Sequence, residues 1–306
     1  MPLSNWAARA FQKTVTNVFY SRVLPTRRRR SRRPAQQISL ESLEPRQMLS
    51  INTVTTTADF GAGSLRQAIN DAHATSANDD IVFASSLFTN GVSTITLGSA
   101  ALPTIAATSG AGSLAITGPG ASSLIISGNN GNNSRNFSIF NIASGGNLSI
   151  SGVTVSGAKT TDTYGKGGSI INSGTLNISS SVITGNSVSG SSSYGGGIQN
   201  DTSAILTISN TTISGNSSAN HAAGINNEGT ITITSSTISG NTAANAGGGF
   251  VNNGTLSIFN STIFGNTATN VSGGGIFNNA ILNISNTTID TNSPNPQHKP
   301  NPQAKL

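Results

Sequence analysis

Between Leu176 and Asn292 the chain says nearly the same thing five times. The block Leu176–Asn186, Leu-Asn-Ile-Ser-Ser-Ser-Val-Ile-Thr-Gly-Asn, returns at Leu206–Asn216, Ile231–Asn241, Leu256–Asn266 and Leu282–Asn292. Successive blocks start 30, 25, 25 and 26 residues apart. A second phrase, Gly-Gly-Gly-Ile-x-Asn, sits between them at Gly195–Asn200, Gly247–Asn252 and Gly273–Asn278, with worn copies at Gly167–Asn172 and Ala222–Asn227. A fixed period of this size is the mark of a solenoid, in which each repeat is one supersecondary unit stacked on the next.

The letters inside the period decide which solenoid. Glu, Lys, Arg, Met and Gln, which populate helix surfaces, are nearly missing from it. Ile, Thr, Ser, Asn and Gly take their place, and Leu-x-Ile followed by Ser/Thr-x-Ile alternates with the period of a strand. The Gly-Asn that closes each block is a turn, because both residues tolerate a left-handed backbone. The pattern predicts an all-β chain: a right-handed parallel β-helix of three-strand rungs with a period of about 25 residues, its hand set by the crossover preference of parallel strands. Four inward columns are expected. They are Leu176, Leu206, Ile231, Leu256, Leu282; Ile178, Ile208, Ile233, Ile258, Ile284; Ile183, Ile213, Ile238, Ile263, Ile289; and Ile170, Ile198, Ile225, Phe250, Ile276. Four apolar side chains cannot hold some two dozen backbones in place, so neighbouring rungs must stabilise one another.

Asparagine forms columns of its own. Asn186, Asn216, Asn241, Asn266 and Asn292 make one; Asn172, Asn200, Asn227, Asn252 and Asn278 make the other. A ligand or metal site needs its residues once, whereas these recur in every rung. The expectation is therefore a structural ladder of stacked side-chain amides.

Charge is divided unevenly. Residues 1–50 hold ten Lys/Arg against two Glu, so the net +6 of the 306-residue chain belongs to this stretch and the rest is slightly acidic. Without cysteine there is no disulfide framework and no thiolate metal site. No run of 18 apolar residues exists to cross a membrane as a helix. Arg27-Arg28-Arg29-Arg30-Ser31-Arg32-Arg33 could neutralise phosphates or meet an anionic lipid surface. No folded reader accompanies the run, so a disordered export leader over 1–50 is expected, with no nucleic-acid partner. The apolar stretch of a conventional secretory signal does not follow it.

The leader ends in Leu43-Glu44-Pro45-Arg46-Gln47-Met48-Leu49. This resembles the LEPR-XLL segment of large bacterial extracellular proteins, with Met48 where that family usually carries Leu. The resemblance implies an exported protein. Residues 51–113 then read as an N-terminal cap with the first irregular rungs. Ser64–His73 reads as a helix: Ser64 with Gln67 spells a capping box, and Leu65, Ala68, Ile69 and Ala72 make the apolar stripe. Such a helix can cover the open end of a β-helix. The stretch resembles the GSLRQAI start of bacterial β-helix surface proteins, where it opens the cap. Residues 114–292 are the β-helix, and 293–306, with Pro294, Pro296, Pro300 and Pro302, a disordered tail.

Enzymes of this fold act on polysaccharides through paired carboxylates, or a calcium cage with a base. Asp162, Asp201, Glu228 and Asp290 read as lying in different phases of the repeat, not brought together by stacking. Lys159, Lys166 and Arg135 are the nearby bases, and His73, His221 and His298 fall in a helix end, a loop and the tail. Asp79-Asp80 reads as a turn before a strand rather than a pair of metal ligands. The expectation is no catalytic residue, no metal and no cofactor. Gly-Gly-Gly-Ile and Ile-x-Gly-Asn are similar to the GGAI and FxxN repeats of bacterial polymorphic outer-membrane proteins, over about residues 148–292. That family's surface β-helices are implicated in adhesion. The resemblance implies a structural or adhesive protein at the cell surface, read as non-catalytic from the scattered acids; the long polar Ser/Thr/Asn faces suit contact with glycans or other wall proteins, and a polysaccharide lyase or hydrolase is the alternative. Oligomeric state is not legible.

Overall fold

In the computed structural model, the described residues are 50–293, apart from 75–77, 99, 107–111, 129–135, 162–166, 191 and 271–272. The arginine run, the LEPR-like segment, Arg135, Asp162, Lys166, His298 and the proline-rich tail lie outside them.

The chain is a parallel β-solenoid of about eight turns with little helix. One regular turn shows how it is made. Ile170–Asn172, Thr175–Ser179, Val182–Thr184 and Ser187–Val188 follow one another, and every strand pairs in parallel with its equivalents in the turns before and after. Four walls result. The Thr175-type strands build face one, nine strands deep; the Val182-type strands build face two, eight deep. Face three holds five two-residue strands and face four six strands of the Ile170 type. The sequence predicts three strands per turn. The extra one, Ser187–Val188 and its equivalents, is too short for an alternation to register.

Register follows the expected columns. Leu176 pairs with Leu206, Leu206 with Ile231, Ile231 with Leu256 and Leu256 with Leu282. The columns beginning at Ile178, Ile183 and Ile170 stack in the same way. Their members up to the penultimate turn are fully buried in one continuous core. The pleat decides this, since alternate residues face opposite sides of a strand.

Turn chemistry supplies the corners. The Gly185 column (Gly185, Gly215, Gly240, Gly265) has φ of 61° to 63°, the left-handed region. An earlier corner is left-handed without glycine: Ser180, Asn210, Ser235, Asn260 and Asn286 have φ of 48° to 51°. Asn bears that conformation better than Ser.

The helix runs Leu65–His73, with Leu65, Ala68, Ile69 and Ala72 buried against the first strands, Ser50–Val54 and Asp79–Phe83. Only half of the capping box forms. The Gln67 N–H donates to Ser64 Oγ at 3.2 Å, but the Gln67 side chain donates to Asp71 Oδ1 at 2.7 Å. Gly61 O instead accepts from the Ser64 N–H at 3.2 Å. An ion pair unexpected from sequence fixes the approach to the helix: Arg66 Nη2 lies 2.6 Å from Asp59 Oδ1. Arg66 also donates to Ala100 O and Ala101 O, and Asp59 Oδ2 accepts from the Gly98 N–H.

Candidate functional site

The two asparagine columns lie inside the wall. In the first, each Nδ2 donates to Oδ1 of the next turn: Asn186 to Asn216 at 3.0 Å, Asn216 to Asn241, Asn241 to Asn266 and Asn266 to Asn292 at 2.9 Å. That Oδ1 also accepts the backbone N–H of the turn before, as from Asn216 to Asn241 at 3.0 Å. The other Nδ2 hydrogen serves a carbonyl of the preceding turn; Asn241 donates to Ile213 O at 3.0 Å. The second column runs from Asn172 to Asn200 at 2.8 Å, Asn200 to Asn227 at 2.9 Å, and Asn227 to Asn252 and Asn252 to Asn278 at 2.7 Å. These amides are spent on one another and on backbone, which leaves the buried members nothing to offer a ligand.

A third ladder was not read from the sequence. The backbone N–H of Thr211 donates to Ser236 Oγ at 3.2 Å, and that of Ser236 to Ser261 Oγ at 3.1 Å. Each hydroxyl in turn donates two residues back, Ser236 Oγ to Thr234 O at 2.7 Å. Serine and threonine are so common here that no column of them stands out by letter.

The outer side of face four differs from the other walls. The middle residues of its strands point away from the core, yet Gln199 and Asn226 are fully buried. The Gly-Gly-Gly phrase folds over them. Its first glycine has positive φ, 69° at Gly195 and 71° at Gly247. A Cβ on the second, at Gly196 or Gly248, would collide with backbone of the adjoining turn. The phrase is a steric requirement of this fold-back.

Beneath it the structure corrects the reading of the carboxylates. Asp201 and Glu228 share one phase, each following a ladder asparagine, Asn200 or Asn227. The Asp201 N–H donates to Asn172 O and the Glu228 N–H to Asn200 O, both at 2.8 Å. The two acids therefore stand on neighbouring turns, a strand spacing of about 4.8 Å apart along the axis. The signal that could have found them was distance from the ladder asparagine.

Donors surround the pair. Asp201 Oδ2 accepts from Ser173 Oγ at 2.7 Å and Oδ1 from Gln199 Nε2 at 3.0 Å. Asn226 Nδ2 donates to Gln199 Oε1 at 2.9 Å and to Glu228 Oε1 at 3.2 Å. Both carboxylates open on a groove of about 430 Å³, with Ser144, Ser173, Thr175 and Thr202 also on its walls. A second groove, about 360 Å³, runs along face three and is lined by small residues such as Ser187, Ser217 and Thr242.

Asp290 lies at the end of the last face-two strand, exposed and away from this pair. Lys159 begins the first face-three strand. His73 ends the helix; its Nε2 is buried without a hydrogen-bond partner, and burial lowers its pKa against the opposing pull of Asp79. His221 stacks on Tyr194 with ring centres 5.5 Å apart, and its Nδ1 accepts the Ala246 N–H at 3.2 Å. Desolvation lowers its pKa too. Asp79 and Asp80 open a face-one strand, with Asp79 buried. Among the described residues, no three His, Asp or Glu side chains converge as a metal site would require.

No helix among the described residues is long and apolar enough to cross a membrane. Compared with known proteins, the chain matches no family model, no curated sequence and no solved structure.

Proposed function

We propose that this chain is an exported bacterial surface protein with a non-catalytic, structural or adhesive role. One observation carries the reading: the outer sides of faces one and two form long columns of small uncharged polar groups on a wall fixed by three buried ladders. Ser149, Asn177, Thr207, Thr232, Ser257 and Asn283 stack in register on face one. Thr212, Thr237, Thr262 and Thr288 do so on face two. Hydroxyls and amides repeated at one strand spacing suit a partner that is itself repetitive and polar, such as a glycan or another wall protein. The LEPR-like leader and the repeats similar to polymorphic outer-membrane proteins support export and the surface. Cell fractionation with N-terminal sequencing of the mature chain tests this; intact protein confined to the cytosol overturns it. A glycan array then tests adhesion, with binding expected and no product released.

The Asp201–Glu228 pair favours a second reading, a polysaccharide lyase or hydrolase. Two carboxylates on neighbouring turns of one groove are the pairing an acid and a nucleophile need. Against it, both Asp201 oxygens already accept hydrogen bonds. Polysaccharide cleavage lost in both Asp201→Asn and Glu228→Gln would establish the enzyme.

A further inference from the structure

In a repeat, the turns that break a column mark what the fold itself does not need. The middle, outward residue of the face-four strands runs Ile171, Gln199, Asn226 and Val251 in register. Two residues further along, the column reads Ser173, Asp201, Glu228 and Asn253. The outer two turns pair an apolar residue with a neutral polar one. The inner two pair an amide with an acid, so both columns change together. Packing does not call for this, since Ile171 and Val251 hold the same position. Gln199 and Asn226 are nevertheless fully buried, and buried amides destabilise unless every polar atom finds a partner.

The four side chains form one patch. Asn226 Nδ2 donates to Gln199 Oε1 at 2.9 Å and to Glu228 Oε1 at 3.2 Å, and Gln199 Nε2 donates to Asp201 Oδ1 at 3.0 Å. Amide hydrogens thus close three of its sides. The fourth side, from Asp201 to Glu228 on the neighbouring turn, has only acceptors, because ionised carboxylates have no hydrogen to give. It opens on the groove, whose described lining residues include no Lys, Arg or His. Glu228 has no ion pair among the described residues. One further atom is left over: Asn226 Oδ1 is buried without a hydrogen-bond partner. It belongs to the same amide that touches Glu228. The oxygen and nitrogen of an amide have nearly the same shape. Turning the Asn226 side chain over brings Oδ1 against Glu228 Oε1 and Gln199 Oε1, and oxygens converge in this way around a cation.

We propose that Asp201, Glu228 and the side-chain oxygen of Asn226 bind a calcium ion where this patch meets the groove. Every donor is an oxygen, which selects a hard cation over zinc or copper. Magnesium demands near-ideal octahedral geometry, whereas calcium accepts irregular sets of carboxylates, amide carbonyls and waters. Ligands projecting from two successive strands are of the irregular kind. A site of His, Asp and Glu alone would need a third such group; calcium takes the remainder from neutral oxygens. A carboxylate accepts at about four lone pairs, so the hydrogen bonds from Ser173 and Gln199 do not close Asp201 to a cation. Only two of the ligands are charged, which places the affinity in the weak range, a Kd of about 10⁻⁴–10⁻³ M, typical of extracellular modules. The ion would pin one turn to the next at the side of the patch that lacks a donor.

The test is calorimetric titration of the full chain with calcium chloride, beside thermal melting in calcium and in EDTA. One ion per chain should bind in that range, and the midpoint should be higher in calcium. Asp201→Asn and Glu228→Gln keep the size of the side chain and an acceptor oxygen but remove a charge. Each should weaken binding at least about tenfold, since affinity follows the charge count of the ligands. Asp290→Asn, on the last face-two strand, should bind as the wild type does. Melting in EDTA shows whether the variants fold, and their midpoints should no longer respond to calcium. Magnesium chloride at the same concentrations should shift nothing. The proposal is overturned if the wild-type chain shows no saturable binding up to about 10 mM calcium, well above the weak range. Binding unaltered in both variants overturns it as well, as does an equal response to magnesium. Variants that lose stability in EDTA yet keep the calcium response would make the pair structural only, and would also overturn it.

Discussion

The first turns, up to about residue 128, and the regular turns after Ile170 satisfy their buried polar groups in opposite ways. In the regular turns each ladder amide or hydroxyl is answered by its own copy one turn on, so one solution serves every rung. Among the described residues, the first turns show no such ladder. Their polar groups are met by contacts made once: Arg66 with Asp59, Ala100 O and Ala101 O, and Asp59 with the Gly98 N–H. Among the described residues, the first strands of faces three and four are Lys159–Thr160 and Phe140–Ile142, the latter already bridged in parallel by Ile105. Repetition gives the later turns redundancy, while the first turns rest on a few irreplaceable groups.

The sharpest way to break that contrast is inside a ladder. Asn241→Ala removes four buried hydrogen bonds: those that the Asn216 N–H and Asn216 Nδ2 donate to Asn241 Oδ1, and those that Asn241 Nδ2 donates to Ile213 O and Asn266 Oδ1. Groups left unpaired at about 1–3 kcal/mol each predict a loss of about 4 kcal/mol or more, read by denaturant unfolding. If redundancy extends to single rungs, the loss will be under about 1 kcal/mol, and the ladder is then ornamental. Arg66→Ala should come next, at about 3 kcal/mol, because the Asp59 carboxylate, 9% exposed, loses its counter-charge. Its signature is local. Hydrogen exchange should rise in strands Ser50–Val54 and Asp79–Phe83 while the strands from Ile170 onward keep their protection.

Legibility follows the same division. The aliphatic and amide columns could be read because one letter recurs at one period and a single-residue slip would turn every side chain to the wrong side. Arg66 with Asp59 could not be, since a contact made once leaves no periodic trace. Two repeated features also escaped. Ser187–Val188 is a two-residue strand, below the length at which alternation means anything. Asp201 and Glu228 were sorted by residue type among scattered acids, although their common distance from Asn200 and Asn227 puts them in one column. The half-formed cap at Ser64 is a case of tertiary context overriding a local motif: Asp71, one helical turn beyond Gln67, took its side chain.

A smaller effect sharpens the comparison within the regular turns. The left-handed corner is filled by Asn at Asn210, Asn260 and Asn286 but by Ser at Ser180 and Ser235. Ser235→Asn should raise stability by about 0.5 kcal/mol, since Asn enters this region at less cost. A thermal midpoint that falls instead would mean that the Ser235 side chain has a role its geometry does not reveal.

The smallest effect sets one histidine from each region side by side. Burial lowers the pKa of both His73 and His221, but Asp79 opposes the shift at His73 and no charge opposes it at His221. A histidine whose folded pKa lies below its unfolded value of about 6.5 binds protons more readily in the unfolded chain. Its contribution is whole above that pH and drains away as pH falls through 6.5 toward the folded value. Geometry agrees at His221, where protonating Nδ1 forfeits the hydrogen bond from the Ala246 N–H. The thermal midpoint should therefore drop between pH 7.5 and 5. In His221→Phe, which keeps a ring beside Tyr194, part of that slope should vanish while the midpoint at pH 5 changes less than at pH 7.5. An unchanged slope in His221→Phe, with a flattened one in His73→Phe, would move the acid sensitivity from the repeated turns to the unrepeated ones.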